Sequence, residues 1–228
     1  KVRFHAPPES LRRYFTTFYL TELEVPGREP VQDSLQPEWA NLRFYAGNPP
    51  EAETLSGVRL GGTTFPVTGP SSRAVRFRIG PNRMWGIGLL PLGWAKFGAV
   101  PAVEFADALL DGNSHPDFAD FRSLADTLFD DAPDTEAELA RITGYFSARA
   151  HLPVPEEARI LAIHTALVDP ETATVAQLVD RAGISQRSVE RICRRAFGFP
   201  PKLLLRRQRF MRSLSKFVLD PSLKWIGA

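Results

Sequence analysis

The chain has 228 residues, which suits one large domain or two smaller ones. A hydrophobic content of 43%, a charged content of 24% and a net charge of +2 are ordinary for a soluble globular protein, and no apolar run approaches the ~18 residues that a membrane-spanning helix requires. A single cysteine excludes an internal disulfide and fits a reducing cytoplasm, where we expect the protein because no secretory signal is visible at the start.

The first predicted element is a helix that follows Pro8. An aromatic-rich stripe recurs there at helical spacing, formed by Leu11, Tyr14, Phe15, Phe18 and Tyr19. Side chains three and four positions apart lie on one face of a helix. The pattern therefore favours an amphipathic helix with an aromatic face.

Beyond this stripe the hydrophobic period changes towards two, which is typical of strands. Val75, Phe77 and Ile79 alternate with arginines and predict one face of a strand. The segments predicted to be strands are 42–45, 63–67, 73–79 and 84–89. The glycines in the last of these segments indicate a close backbone approach or a bulge.

The later part of the chain is predicted to be helical. Apolar stripes at helical spacing dominate from residue 117 onward, and a short helix is predicted earlier. The predicted helices up to this point are 91–97, 118–129, 139–146 and 156–167. Pro153 and Pro155 mark a linker before the last of them.

The strongest local signals lie between residues 174 and 210. Thr174 and Gln177 have the spacing of a capping box, which predicts the start of a helix. Gly183 can adopt a positive φ without steric cost, because glycine has no Cβ, and it therefore predicts where that helix ends. Ser185 is a good N-cap, so a second helix is expected to begin there. This order predicts a helix-turn-helix.

The second of these helices has an apolar face and a polar face. Its apolar side chains at core spacing are Val189, Ile192, Cys193, Ala196 and Phe197. Gly198 predicts its end, and Pro200 with Pro201 predicts the start of a third helix, where the missing N–H groups cost nothing. A helix that anchors on a small core while it presents cations is what DNA recognition requires.

Charge is distributed unevenly along the chain. From Pro170 onward there are twelve Lys or Arg and four Asp or Glu, whereas the preceding residues hold sixteen and twenty-two. Residues 103–138 alone contain eleven acidic residues and one basic residue, Arg122. A basic end on an otherwise acidic chain is an electrostatic footprint for phosphate, and the acidic segment should face away from DNA.

The stretch from Gly183 to Phe210 resembles the first helix-turn-helix of AraC-type transcriptional regulators. The positions that match the family pattern are Gly183, Ser185, Val189, Ile192, Phe197, Gly198, Pro201, Lys202 and Arg209. Cys193 departs from the pattern, since the family usually has Phe there, and this concerns packing alone. The resemblance covers roughly the last quarter of the chain.

Together with the strand and helix patterns of the front half, this resemblance indicates an α+β fold class, with an N-terminal domain of mixed β-sheet and helices over 1–150 and an all-α AraC-type DNA-binding domain over 154–228. It implies a sequence-specific transcription regulator of a double-stranded DNA operator, with no enzymatic activity and no cofactor. The helix from Ser185 to Phe197 would read the DNA. The residues expected to contact DNA are Gln186, Arg187, Ser188, Glu190, Arg191, Arg194, Arg195, Lys202 and Arg206.

The front half resembles, more loosely, an uncharacterised domain that precedes AraC-type motifs in some bacterial regulators. The residues that carry this likeness are Pro8, Leu11, Arg12, Tyr14, Pro91 and Gly93. In the wider family the front domain senses a small molecule, dimerises, or does both. A small-molecule effector and a second copy of the chain are therefore implied as partners, and a membrane is not.

The family carries two helix-turn-helix motifs joined by a long helix. Residues 222–228 resemble the opening of the second motif, and the sequence stops there. Lys1 stands where an initiator methionine would be. We therefore expect this sequence to be part of a longer protein.

Other functions remain open at this stage. An enzyme with a DNA-targeting module, such as a repair protein, would need a nucleophile or a metal cluster in residues 1–150, where the sequence offers neither. The four histidines lack partners at metal-ligand spacing, and Cys193 lies on a core stripe, where a free cysteine behaves as a small hydrophobe. A non-specific nucleic-acid binder is less favoured, because Gln186, Ser188 and Glu190 can address base edges.

A ligand pocket in the front half is another open interpretation. Trp39, Tyr45 and Trp85 could line one. Large aromatic side chains in a β-rich core are more often packing residues, and the sequence does not decide between the two roles.

Overall fold

The computed structural model describes residues 1–25 and 29–219. The chain up to the end of the helix Thr135–Arg149 combines two β-sheets with short helices, and the rest of the described chain is helical. This arrangement confirms the predicted α+β fold class. Residues 222–228, interpreted as the opening of a second motif, lie outside the described residues. Within the described ranges, no helix has the length and apolar character needed to cross a membrane.

Ten strands occur in the described residues, and seven α-helices. The strands are β1 (Val2–His5), β2 (Phe15–Leu23), β3 (Val31–Leu35), β4 (Asn41–Tyr45), β5 (Glu51–Thr54), β6 (Arg59–Leu60), β7 (Pro66–Thr68), β8 (Val75–Ile79), β9 (Asn82–Leu89) and β10 (Leu109–Asp111). The helices are α1 (Pro91–Gly93), α2 (Arg122–Thr127), α3 (Thr135–Arg149), α4 (Glu157–Val168), α5 (Val175–Ala182), α6 (Gln186–Phe197) and α7 (Pro201–Leu219). A π-helical turn, Trp94–Gly98, continues α1.

The strands form two antiparallel sheets. The large sheet has the order β1-β2-β9-β4-β7-β10, and the small sheet has the order β3-β8-β5-β6. Gly86 of β9 lies between Tyr19 of β2 and Arg43 of β4. A Cβ at Gly86 would lie 1.9 Å from the Tyr19 ring, so glycine is what lets this ring lie flat across the sheet. The close neighbour of Gly86 is thus a side chain and not the backbone, whereas the alternative that was predicted, a bulge, corresponds to the register shift between Phe15 and Thr17 of β2, opposite Leu89 and Gly88 of β9.

The two faces of the large sheet have different roles. One face is apolar and packs under the helices, where the buried side chains include Phe18, Leu20, Leu42, Phe44, Val67, Trp85 and Ile87. The buried carboxylate Glu138 holds α3 on this face, since it accepts a hydrogen bond from Trp85 Nε1 at 2.6 Å and pairs with Arg83 at 2.8 Å. The other face carries both polar and apolar side chains and is turned towards the small sheet. A cavity lies between the two sheets.

The apolar core is continuous from the large sheet into the helices α4–α7. It therefore passes the segment around Pro153 and Pro155 that we interpreted as a linker. The domain boundary between residues 150 and 154 stays a prediction.

The prediction of a helix after Pro8 is wrong. A 3₁₀ turn forms at Glu9–Leu11, and the aromatic stripe continues into strand β2. Three threonines lie in this segment, and β-branched side chains favour extended backbone. Phe18 and Leu20 then face the core while Tyr19 faces the cavity, which is the alternation of a strand.

The other predicted elements occur with shifted ends. The segments 42–45, 73–79 and 84–89 correspond to β4, β8 and β9, and 63–67 overlaps β7. The predicted helix over 118–129 is a 3₁₀ segment followed by α2, while 139–146 and 156–167 correspond to α3 and α4. Strands β1, β3, β5, β6 and β10 were not predicted. They are short, and the polar side chains of β3 are exposed.

Two helical glycines should respond to alanine in opposite ways. A Cβ at Gly93 would lie 2.0 Å from the backbone oxygen of Tyr14, so Gly93→Ala should lower the free energy of unfolding by about 1–3 kcal/mol. A Cβ at Gly144 in α3 would meet nothing within 4 Å. Gly144→Ala should therefore raise the free energy of unfolding by about 0.5–1 kcal/mol, because alanine has the higher helix propensity. Urea unfolding measures both, and a shift in the same direction would contradict this packing of α1.

Candidate nucleic-acid interface

Side-chain caps and glycines define the ends of α5 and α6. Thr174 Oγ1 accepts a hydrogen bond from Gln177 N at 3.2 Å, and the Gln177 side chain accepts one from Thr174 N at 3.1 Å. Gly183 ends α5 with a φ of 66°, and Ser185 Oγ accepts from Ser188 N at 3.3 Å to open α6. The predicted capping box and the order of helix, glycine turn and helix are confirmed.

Helix α6 is fixed by neighbours on two sides. Its apolar stripe is buried against α4, α5 and α7 and consists of Val189, Ile192, Cys193, Ala196 and Phe197. Its C-terminal end packs against the 3₁₀ segment Ala102–Phe105, which belongs to the part of the chain before residue 150, here called the front part. Gly198, with a φ of 82°, permits this contact, because a Cβ there would lie 3.2 Å from Ala102 O. The remaining face of α6 is thereby held in one orientation.

That remaining face carries the residues predicted to contact DNA. Its exposed side chains are Gln186, Arg187, Glu190, Arg191, Arg194 and Arg195, while Ser188 is half-buried. Lys202 and Arg206 are exposed on α7, one helical turn apart. The structure therefore brings seven of the nine predicted residues together on one helix, with the other two on the helix that follows.

Most of these cations carry no ion pair. Among the described residues, no carboxylate lies within ion-pair distance of Arg187, Arg194, Lys202 or Arg206, whereas Gln186 Nε2 donates to Glu190 Oε1 at 2.9 Å. The face thus combines free guanidinium groups with a fixed polar pair. It offers both charge and hydrogen-bond donors and acceptors to a ligand.

Arg191 is different, because Glu156 holds it. Its Nη1 and Nη2 donate to the two carboxylate oxygens of Glu156 at 2.7 and 2.5 Å, and Arg159 Nη1 donates to the same carboxylate at 3.0 Å. The hydrogen bond from Arg191 is the main cause that lowers the pKa of Glu156 to about 2. Glu156 has a φ of 61°, which is costly for a residue with a side chain. No sequence signal marked this residue.

Arg207 ties α7 to the front part of the chain. It is 5% exposed, and its guanidinium lies 3.7 Å from the centroid of the Trp39 ring. Its Nη1 donates to the backbone oxygens of Glu38 and Ser71, each at 3.2 Å. Burial lowers the pKa of Arg207 to about 10. This arginine is a structural contact, whereas its neighbour Arg206 is exposed to solvent.

The aromatic residues considered for a ligand pocket have three different positions. The Trp39 ring lies at the interface between the two parts, with centroids 5.5 Å from His164 of α4 and 5.9 Å from Phe197 of α6. Trp85 is fully buried in the core. Tyr45 alone of the three lines the cavity between the sheets.

Cys193 and His164, two of the residues considered as a nucleophile or as a metal ligand, are packing residues. Cys193 is fully buried, and burial raises its pKa to about 12, so the thiol stays protonated. Burial lowers the pKa of His164, which favours the neutral ring. Throughout 1–25 and 29–219, no group of three or more His, Cys, Asp or Glu side chains is arranged to hold a metal ion.

Arg206 and Arg207 are adjacent but should respond differently to replacement by leucine. Arg207→Leu should lower the free energy of unfolding by about 2–4 kcal/mol, because two backbone oxygens lose a charged donor and Trp39 loses its cation. Arg206→Leu should change it by no more than about 0.5 kcal/mol. Urea unfolding compares the two, and equal stabilities would rule out anchoring by Arg207.

The ion pair at Glu156 should make stability depend on pH. Its pKa is lowered in the folded chain from 4.5 to about 2, so its contribution is complete above about pH 4.5 and is lost as the pH falls towards 2. The stability difference between the natural chain and Glu156→Gln should therefore shrink between about pH 5 and pH 2. Urea unfolding across this range measures it. A difference that does not vary with pH, or one that survives unchanged in an Arg191→Met background, would contradict the assignment.

Comparison with known proteins gives only structural likenesses. No protein-family model and no curated protein matches the chain. ToxT from Vibrio cholerae is similar over 88% of this chain and 82% of that chain, with a TM-score of 0.41 and 9% identity. ToxT bound to an unsaturated fatty acid is similar over 92% of this chain and 84% of that chain, with a TM-score of 0.43 and 10% identity. The AraC-like transcriptional activator CuxR is similar over 94% of this chain and 87% of that chain, with a TM-score of 0.34 and 15% identity. Likeness at this level concerns overall chain path, and the function proposed below rests on residues of this chain.

Proposed function

We propose that the chain is a sequence-specific DNA-binding transcription regulator of AraC type. In this proposal α6 reads DNA, the front part over 1–150 binds a small-molecule effector or a second copy of the chain, and the protein works in the cytoplasm without a catalytic activity or a cofactor. The observation that carries the proposal is the exposed polar face of α6.

The geometry of α6 suits a DNA groove. The major groove admits one α-helix, and residues four positions apart on a helix are separated by about 6 Å along its axis. Arg187 and Arg191 have this spacing and point away from the buried stripe. Arginine contacts guanine in bidentate fashion, and glutamine contacts adenine, so Gln186 and Arg187 in the first turn are suited to base edges.

The cations further along are suited to the DNA backbone. Arg194 and Arg195 lie in the last turn of α6, and Lys202 and Arg206 lie in the first turns of α7. Contacts of lysine and arginine with phosphate fix the register of a protein on the duplex without reading its sequence. These four residues would supply affinity rather than specificity.

The front part offers a place for an effector. The cavity between the sheets has a volume of about 620 Å³, which lies within the range of roughly 300–1,000 Å³ of small-molecule sites. Apolar side chains of the small sheet form one wall, and the large sheet contributes both polar and apolar side chains to the other. A mostly apolar lining with a few polar groups is common in ligand sites.

Replacing arginines of α6 and α7 by alanine should separate base contacts from phosphate contacts. The DNA probe is a site that the protein selects from a library of random sequences. Arg187→Ala should weaken the free energy of binding to this site by about 1–3 kcal/mol and relax the sequence preference, because a base contact is lost. Arg206→Ala should weaken selected and random DNA alike and should reduce the slope of log K against log salt by about 1. Fluorescence anisotropy titrations over a range of salt concentrations measure both quantities.

Arg59→Ala is the matched control for these variants. Arg59 is an exposed arginine of the small sheet, and its loss removes the same charge far in sequence from α6. DNA affinity should not change in this variant. If Arg187→Ala binds the selected site as tightly as the natural chain, α6 is not the reading helix.

A further inference from the structure

The cavity between the sheets has one wall that is almost entirely apolar. Six side chains of the small sheet form it, which are Val31, Leu35, Ala52, Leu60, Phe77 and Ile79. The large sheet contributes polar side chains at Tyr19, Asn41, Arg43 and Thr68, together with apolar side chains such as Phe4, Met84 and Leu109. A cavity of about 620 Å³ lies between these apolar side chains and the large sheet.

The charged side chains Arg43 and Glu38 on the large-sheet side of the cavity neutralise each other. Arg43 is 4% exposed and uses each of its three nitrogens, because Nε donates to Tyr19 Oη at 3.1 Å, Nη1 to Thr68 Oγ1 at 2.8 Å and Nη2 to Glu38 Oε1 at 2.7 Å. The second oxygen of Glu38 accepts a hydrogen bond from Asn41 at 3.0 Å. Each guanidinium nitrogen is therefore engaged within the protein, and the charge of Arg43 is paired with the Glu38 carboxylate.

The rest of the lining adds no cation. Among the described residues that line the cavity, the remaining charged group is Asp33, an exposed carboxylate of β3. Tyr45 adds a hydroxyl without a hydrogen-bond partner in the described chain, and burial raises its pKa to about 12, so it remains a donor. The cavity thus offers hydrogen bonds and apolar surface, and its charges repel an anion.

We propose that this cavity binds an uncharged, largely apolar ligand with at least one hydroxyl or carbonyl group, and that Glu38 sets this preference by neutralising Arg43. The inference rests on the proposed function, in which the cavity is the effector site. A carboxylate ligand would have to give up its hydration and compete with Glu38 for Arg43, which is unfavourable in a buried site. An alcohol or ketone loses far less hydration and can bond to Tyr45 or to the network around Arg43.

The experiment compares decanol and decanoate, which share a chain length and differ in head-group charge at about pH 7.5. Isothermal titration measures their affinities for the natural chain and for Glu38→Gln. The natural chain should bind decanol at least about tenfold more tightly than decanoate. In Glu38→Gln the ratio should fall by about tenfold or more, because Arg43 is left without its carboxylate and can pair with the ligand.

Two further variants make the result specific to the cavity. Ala52→Trp places a large side chain in the gap and should abolish binding of both probes. If Glu38→Gln does not fold, the double variant Glu38→Gln with Arg43→Gln replaces it. That variant restores neutrality and should retain the preference for decanol.

Three results would overturn the inference. They are equal binding of the two probes by the natural chain, a ratio that Glu38→Gln leaves unchanged, and no binding of either probe. Anisotropy titration of the same preparation with the selected DNA site distinguishes the failure of this inference from the failure of the proposed function. If the natural chain binds the DNA site but not decanol, the proposed ligand class alone is refuted. If the natural chain does not bind the DNA site, the proposed function as a transcription regulator is refuted.

Discussion

The adjacent residues Glu38 and Trp39 constrain both parts of the molecule at once. The Glu38 carboxylate holds Arg43 in the cavity wall, while the backbone oxygen of the same residue accepts a hydrogen bond from Arg207 of α7. The Trp39 ring packs against that arginine and against Phe197 at the end of α6. Neighbouring residues share a rigid peptide unit, so the cavity wall cannot shift at Glu38 without acting on the contacts that position the helices.

The two buried arginines at this junction are compensated to different degrees. Arg43 faces a carboxylate, and burial of a cation is least unfavourable with such a partner. Arg207 has two backbone oxygens and an aromatic ring, and burial is the main cause that lowers its pKa. If α7 moved away, the hydration that Arg207 regains would offset part of the cost of breaking these interactions, whereas moving Arg43 would break an ion pair.

The helix-turn-helix part was predictable from sequence because its determinants are local. Capping residues, positive-φ glycines and a short amphipathic period lie within a few positions of the atoms they control, and Thr174, Gly183 and Ser185 all act as predicted. The front part was less accessible. The aromatic stripe of β2 has helical spacing by coincidence, and its choice of strand depends on pairing with β9, which lies far away in the sequence.

The polar contacts that position the candidate site were not predictable for the same reason. Glu38, Arg43 and Arg207 look like ordinary surface residues in the sequence, and they meet only after the sheet and α7 are in place. Burial of Arg207 rather than Arg206 depends on the rotation of α7 by a single position. A pattern of charges along a basic helix does not specify that rotation.

The front part of the chain is connected to α6 through the start of α4. Glu156 holds Arg191, so contact of that arginine with DNA, as proposed for α6, would exchange one anionic partner for another and would gain less than contact of the unpaired Arg187. The next residue, Glu157, pairs with Arg13 of the front part at 2.5 Å. The start of α4 is thus bound to the front part on one side and to α6 on the other. A shift of α4 relative to the sheets would alter the Glu156 contact, and the number of free guanidinium groups on α6 would change with it.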